Sequence, residues 1–176
     1  MGRNKALLPF RGKALVELQR DRLAPLFERV VVAAADPEPY RPFGIEVVPD
    51  LLPERSALTG VHAILSAART PHAFVVAVDL LFLNPRLVEW LLARRKRWDV
   101  LVPESDGKVE PLHALYSRRC LAPIEDAARR GAWKVDGFYP SVRTRVEPVR
   151  TQDWLVEGRS PFFNANTPAE WDSARP

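Results

Sequence analysis

Five places in the chain hold residues that could handle a phosphorylated substrate. The clearest is Ala73-Phe74-Val75-Val76-Ala77-Val78-Asp79-Leu80-Leu81-Phe82-Leu83-Asn84-Pro85, an apolar run broken by a single acid. It is Val-rich and too short to span a membrane, so it reads as a strand buried on both faces. Asn84-Pro85 has the form of a helix start, with Asn as N-cap and Pro at the first helical position. Asp79 is thereby placed at the carboxyl end of a central strand, the edge where open α/β sheets bind ligands. A carboxylate there can hold a magnesium ion on substrate phosphates. It can equally cap the next helix or tie down a loop.

The other four places are weaker alone. Lys5 follows Gly2 and Arg3 in a short basic loop, and an ammonium beside pliable backbone is one way to hold phosphate oxygens. Asp50 ends a short strand after Pro49 and could accept from a ribose or base, or serve only a turn. Asn164 and Asn166 flank Ala165, so in an extended segment both amides point to one face. That pair suits the neighbourhood of a metal-binding Asp, or a capping loop. His113, in Glu110-Pro111-Leu112-His113-Ala114-Leu115-Tyr116, either touches substrate or packs within a strand. No Ser-His-Asp or Cys-His arrangement supports a covalent mechanism.

These residues need elements to position them. Ala14 to Phe27 reads as a helix with Leu15, Leu18, Leu23 and Leu26 on one side. Strands follow over Arg29–Ala35 and Ile45–Val48, separated by the Pro-rich loop Asp36-Pro37-Glu38-Pro39. Leu51 to Leu58 reads as a surface loop. Thr59 and Gly60 then open a helix with Val61, Ile64, Leu65 and Ala68 at i, i+3, i+4 and i+7. After the Asp79 strand comes a helix with Leu87, Val88, Leu91 and Leu92 inward. Strands at Asp99–Pro103 and Leu112–Tyr116 flank a turn at Ser105-Asp106-Gly107-Lys108. A helix over Arg118–Arg130, with Leu121, Ile124 and Ala128 inward, stops at Gly131. Ala132 to Pro140 reads as a short helix or an irregular lid. Val142 to Val149 alternates like an edge strand, Thr151 to Leu155 is a short helix, and Thr167 caps a terminal helix from Pro168. Repeated βαβ units with later antiparallel additions predict an α/β fold: a three-layer α/β/α sandwich around a mostly parallel sheet.

Bulk properties narrow the function classes. The 176 residues are enough for one domain with a real core, and the net charge is a modest +4. Arg94-Arg95-Lys96-Arg97 reads as a solvated helix end, and no motif interleaves basic and exposed aromatic residues as nucleic-acid binders do. No stretch is apolar enough to cross a bilayer, and the N-terminus is not a secretory signal. The single cysteine, Cys120, excludes an intramolecular disulfide framework and suits a reducing cytoplasm.

Six stretches together resemble the molybdenum cofactor guanylyltransferase family (MobA) and the wider group of nucleotidyltransferases with a GT-A-like, Rossmann-type fold. They are Met1-Gly2-Arg3-Asn4-Lys5-Ala6-Leu7-Leu8, Val47-Val48-Pro49-Asp50, Leu58-Thr59-Gly60-Val61-His62-Ala63, Val78-Asp79, Glu110 to Tyr116, and Phe163-Asn164-Ala165-Asn166-Thr167-Pro168. They follow the family's order and span nearly the whole chain. The resemblance implies one nucleotidyltransferase domain over 1–176, with a nucleotide-binding half (1–103) and a half on the acceptor side (104–176). It implies transfer of GMP from GTP to the phosphate of molybdopterin, with Mg2+ as cofactor and release of pyrophosphate. Lys5 would hold the nucleotide phosphates, Asp50 the guanosine and Asp79 the metal, with Gly60 also among the nucleotide-binding residues. His113, Asn164 and Asn166 would lie on the pterin side. Molybdoenzymes or their chaperones would be the protein partners.

Three departures from the family pattern stand out. The family places Leu-Ala-Gly-Gly-x-Ser-x-Arg before Met-Gly-x-x-Lys, whereas Met1 here is that internal Met. This predicts a misassigned start; a chain that truly began here would lack the first strand and its phosphate cradle. Asp79 is followed by Leu80-Leu81 where the family has a residue and then Pro. Ala33 stands where some members have a nucleotide-contacting Asn. Two alternatives therefore stay open: a cytidylyl- or sugar-nucleotidyltransferase on the same fold, and a non-catalytic module that binds a pterin carrier or partner.

Overall fold

The computed structural model describes residues 4–165 and 167–174. The chain opens with a 3-10 turn, Lys5–Leu7, followed by a hairpin of β1 (Pro9–Phe10) and β2 (Lys13–Ala14). Its tip, Arg11-Gly12, is left-handed at both residues (φ 53° and 79°), the backbone that a two-residue hairpin turn needs and that Gly12 supplies without strain. Helix α1 (Leu15–Leu23) follows at once. Strands β3 (Val31–Ala33) and β4 (Glu46–Val48) pair in parallel. Helix α2 (Ala57–Ala67) leads to β5 (His72–Val76), and α3 (Pro85–Arg94) leads to β6 (Val100–Ser105).

Beyond β6 the chain adds β7 (Lys108–Val109), β8 (His113–Ser117), α4 (Leu121–Arg129), β9 (Thr144–Pro148) and α5 (Pro168–Ala174). β8 lies between β5 and β6 and is antiparallel to both, while β9 is parallel to β6. β5, β6 and β9 thus share one direction, and β8 and the short β7 oppose it. This is the expected α/β architecture, with a mixed sheet and the antiparallel strands where they were expected. Among the described residues β3–β4 and the five-stranded sheet are separate ladders, and α2 packs on β3, β4 and β5 together.

Several boundaries differ from the sequence reading, each for a local reason. α2 starts at Ala57, not Thr59, because Ser56 caps it by accepting from the Thr59 amide. The Asp79 run is strand only to Val76; Ala77 to Leu83 is an irregular buried turn, and within β5 only Val75 is fully buried. The α4 stripe is Ile124 and Ala127, with Ala128 turned partly outward. The segment read as a short helix or lid is a 3-10 helix, Val135–Ser141, and it belongs to the core. Phe138 is fully buried against Tyr116, and the Tyr116 hydroxyl donates to the Pro111 carbonyl and meets the Tyr139 hydroxyl at 2.7 Å.

That core also holds Leu58, Val61 and Leu65 of α2, Val100 and Val102 of β6, and Ile124 and Ala127 of α4. Cys120 is buried beside it, and its Sγ donates to the Asp99 carbonyl at 3.2 Å. Burial pushes that thiol up to about 12. Among the described residues no helix is long and apolar enough to cross a membrane.

If the 135–141 segment is core rather than lid, Phe138→Ala costs about 3–5 kcal/mol of stability in urea unfolding. A mobile lid would lose activity with little change in the midpoint.

Candidate active site

The site forms where β5 ends. The turn Ala77–Leu83 cannot satisfy its own backbone in a ladder, yet Leu80, Leu81, Phe82 and Leu83 are each no more than 3% exposed. Their side chains anchor it. Leu81 and Phe82 pack with Phe10, Leu15 and Trp171, and Leu83 packs with Leu23 and Val88. Its amides find backbone partners: Ala77 donates to the Leu112 carbonyl at 2.9 Å and Leu81 to the Phe163 carbonyl at 3.3 Å. Its carbonyls are taken by α1. Gln19 Nε2 donates to the Val78 and Leu80 carbonyls at 3.3 and 2.7 Å, and Arg22 donates to the Leu81 carbonyl at 2.7 Å. Buried backbone polar groups must be paired, and these bonds, with the Leu80 amide donating to the Ala77 carbonyl at 3.4 Å, pair much of the middle of the loop.

Asp79 stands at the top of the pinned loop with its side chain 12% exposed. Lys5 reaches it: Nζ lies 2.8 Å from Oδ2. Two residues that are 74 apart in sequence are therefore one ion pair. Lys5 is held in place by its own turn. Asn4 Oδ1 accepts from the Ala6 amide, Asn4 Nδ2 donates to the Tyr40 hydroxyl at 3.2 Å, and Ala6 is buried with Val16, Tyr40 and Ile45. The basic loop of the sequence reading is thus, from Asn4 on, an ordered turn.

Asn164 joins the same place from the far end of the chain. It forms an isolated antiparallel bridge with Leu80, and its Oδ1 is buried with no hydrogen-bond partner. Asn166 lies outside the described residues. Gly60 lies at the end of the first turn of α2, facing the end of β3; a Cβ built there would sit 3.8 Å from the Ala33 Cβ. Asp50 is half-buried two residues beyond β4, and among the described residues it shares none of the hydrogen bonds that hold Asp79.

His113 is fully buried, next to Val76 in the β5–β8 register. Phe74 and Phe162 meet its ring edge-on at 5.1 and 5.2 Å. Neither ring nitrogen has a partner, and burial lowers the imidazole to about 3, so it is neutral across the physiological range. Glu110, half-buried, has its carboxyl raised by the same desolvation. The residues that sequence reasoning missed are Gln19 and Arg22. The signal for Gln19 was present: a polar residue between Leu15 and Leu23 on the inward side of α1.

Two outcomes follow from this geometry. The unfolded chain takes up a proton on His113 near its ordinary value of 6.5, and the folded chain refuses it down to about 3. Stability is therefore undiminished by this residue above that range and falls as pH drops through it, by about 1.4 kcal/mol per pH unit. His113→Leu removes that slope in urea titrations at several pH values. Gly60→Ala, whose added methyl meets only ordinary contact, raises fold stability by about 0.5–1 kcal/mol in the same measurement.

Comparison with known proteins identifies the family. Residues 1–143 match the MobA-like NTP transferase domain. A probable molybdenum cofactor guanylyltransferase of Pelotomaculum thermopropionicum is 34% identical over 175 residues, covering 99% of this chain and 85% of that protein. The molybdenum cofactor guanylyltransferase of Desulfosudis oleivorans is 30% identical over 174 residues, covering 98% and 86%. Molybdopterin-guanine dinucleotide biosynthesis protein A from Archaeoglobus fulgidus superposes with a TM-score of 0.80 at 25% identity, covering 99% of this chain and 90% of that one. The 2-C-methyl-D-erythritol 4-phosphate cytidylyltransferase of Thermus thermophilus shares the fold, with a TM-score of 0.71 at 20% identity over 97% and 91% of the two chains. A matched domain that contains Lys5, Asp50, Gly60, Asp79 and His113, together with relatives that run almost end to end, leads to one conclusion: this chain belongs to the MobA-like NTP transferase family.

Proposed function

We propose that this chain is a molybdenum cofactor guanylyltransferase, transferring GMP from GTP to the terminal phosphate of molybdopterin and releasing pyrophosphate. The observation that carries the reading is the Lys5–Asp79 pair at 2.8 Å on the pinned loop, in a chain whose relatives carry that name. The attacking phosphate is already anionic, so the site needs no strong base. It must hold two anions together and offset the charge that builds between them.

Each residue has a part in that task. Lys5 turns from Asp79 to the nucleotide phosphates as a point charge. Asp50 accepts from the guanosine, and the small residues Gly60 and Ala33 leave room beside it. Asn164 and Asn166 are assigned to the metal or pterin side, and fully buried His113 contributes a neutral, packed ring there and no substrate contact. The oxygen donors available suit a hard divalent ion: the Asp79 carboxylate and, bridged to the next residue, Leu80, an Asn164 whose Oδ1 is buried without a partner. Mg2+ takes one or two carboxylates and leaves its other positions to phosphate and water. Asp79 and Asn164 would hold it, and once bound it neutralises the triphosphate and the departing pyrophosphate. A cytoplasmic setting goes with this reading, supported by a lone buried thiol.

The shared fold with a cytidylyltransferase makes CTP the competitor to test. With Mg2+ and molybdopterin, pyrophosphate release is expected from GTP in preference to CTP, ATP and UTP. Preference for CTP would replace the guanylyl assignment. Asp79→Asn is expected to lower the GTP rate about 10²–10³-fold, with the urea midpoint little changed. A variant of normal rate would remove Asp79 from the chemistry.

A further inference from the structure

We infer that Gln19 is a positioning residue for Asp79. This rests on the reading of Asp79 as the metal-holding carboxylate and extends it to a helix that touches no substrate. The inward side of α1 is otherwise apolar, with Leu15, Val16 and Leu23 buried. Gln19 is as deep as they are, at 6% exposure. A buried amide is costly unless its hydrogen bonds are made, and here half of it is unmade: Oε1 has no partner. The donor end accounts for its presence. Nε2 meets the Val78 and Leu80 carbonyls at once, the carbonyls on either side of Asp79.

One NH2 group on those two carbonyls holds the peptide planes 78–79 and 80–81, and the plane between them is held by the Leu80 amide, which donates to the Ala77 carbonyl at 3.4 Å. The direction of the Asp79 carboxylate is then set from α1. Arg22, one helical turn further, holds the Leu81 carbonyl and extends the clamp along the loop. Leu80 is also the residue bridged to Asn164. The Gln19 bond to its carbonyl therefore bears on both oxygen donors of the site. Partners that orient a metal ligand from behind are worth about 10–100-fold in metal affinity when removed.

The test titrates Mn2+ into the full chain with GTP present and follows the bound ion by electron paramagnetic resonance. Gln19→Met keeps the volume and removes the donor; it is expected to weaken Mn2+ binding about tenfold. Arg20→Met is the control for a merely structural effect. It also deletes a bond from α1 to a backbone carbonyl, that of Phe43 at 2.7 Å, but one outside the loop, and its Mn2+ affinity is expected to stay within about twofold of the unaltered chain. Should Gln19→Met fail to fold, Gln19→Asn keeps an amide too short to reach both carbonyls and is read the same way. Asp79→Asn separates the two ideas. If it abolishes binding while the Gln19 variant binds normally, the inference is overturned and the metal reading stands. If Asp79→Asn binds normally, or the unaltered chain gives no protein-dependent signal, both fall. Equal weakening in the Gln19 and Arg20 variants would also overturn the inference.

Discussion

An irregular stretch of backbone buried in a protein must find a partner for each of its polar groups, and this constraint shapes the region around Asp79. The chain leaves β5 at Val76 and does not reach α3 until Pro85. Between them it runs through the interior, where water cannot serve its amides and carbonyls. The solution draws on most of the chain: Leu112 and Phe163 take the Ala77 and Leu81 amides, Gln19 and Arg22 take the Val78, Leu80 and Leu81 carbonyls, and the hairpin, α1 and α5 bury the side chains. The acid is the residue of this loop whose side chain is left to face the site.

The same constraint explains why remote segments meet here. The N-terminal turn is anchored through Ala6 and Asn4, which brings the Lys5 ammonium to a carboxylate that would otherwise be desolvated without a countercharge. The C-terminal segment reaches the loop through the Leu80–Asn164 bridge, the Leu81–Phe163 backbone bond and the packing of Trp171. Lys5, Asp79 and Asn164 come from the start, the middle and the end of the chain, and the loop is the structure that all three share. Where the family pattern has Pro after Asp79, this loop is held by the large buried side chains of Leu80 to Leu83.

Much of this could be read from residue types. The Asn84-Pro85 helix start, the Asp106-Gly107 turn, the Gly131 stop and the edge strand before Pro148 all depend on local chemistry, and all appear in the structure. The candidate residues Lys5 and Asp79 were legible as types placed near element ends. Their pairing was not, because it is a tertiary fact with no local signature. Asp79 was assigned to a strand end since a run of apolar neighbours looks the same whether it lines a ladder or buries a loop. Gln19 went unnoticed because a helix interrupted by one polar residue reads as an imperfect stripe. The segment around Phe138 offered a lid or a short helix, and only the packing against Tyr116 and α4 decided between them.

Cys120 gives the molecule an internal clock. Its thiol is buried where the 3-10 turn Arg118–Cys120 runs into α4. It is bonded to the Asp99 carbonyl, and its ionisation is pushed up to about 12. A thiol reacts as the thiolate, so alkylating reagents meet almost none of it while α4 stays docked. Labelling then proceeds through openings that expose the thiol, and its rate counts them. Because the chain has one cysteine, that count is free of background. The breathing of the core around α4 can be timed in the unaltered chain, with no probe introduced.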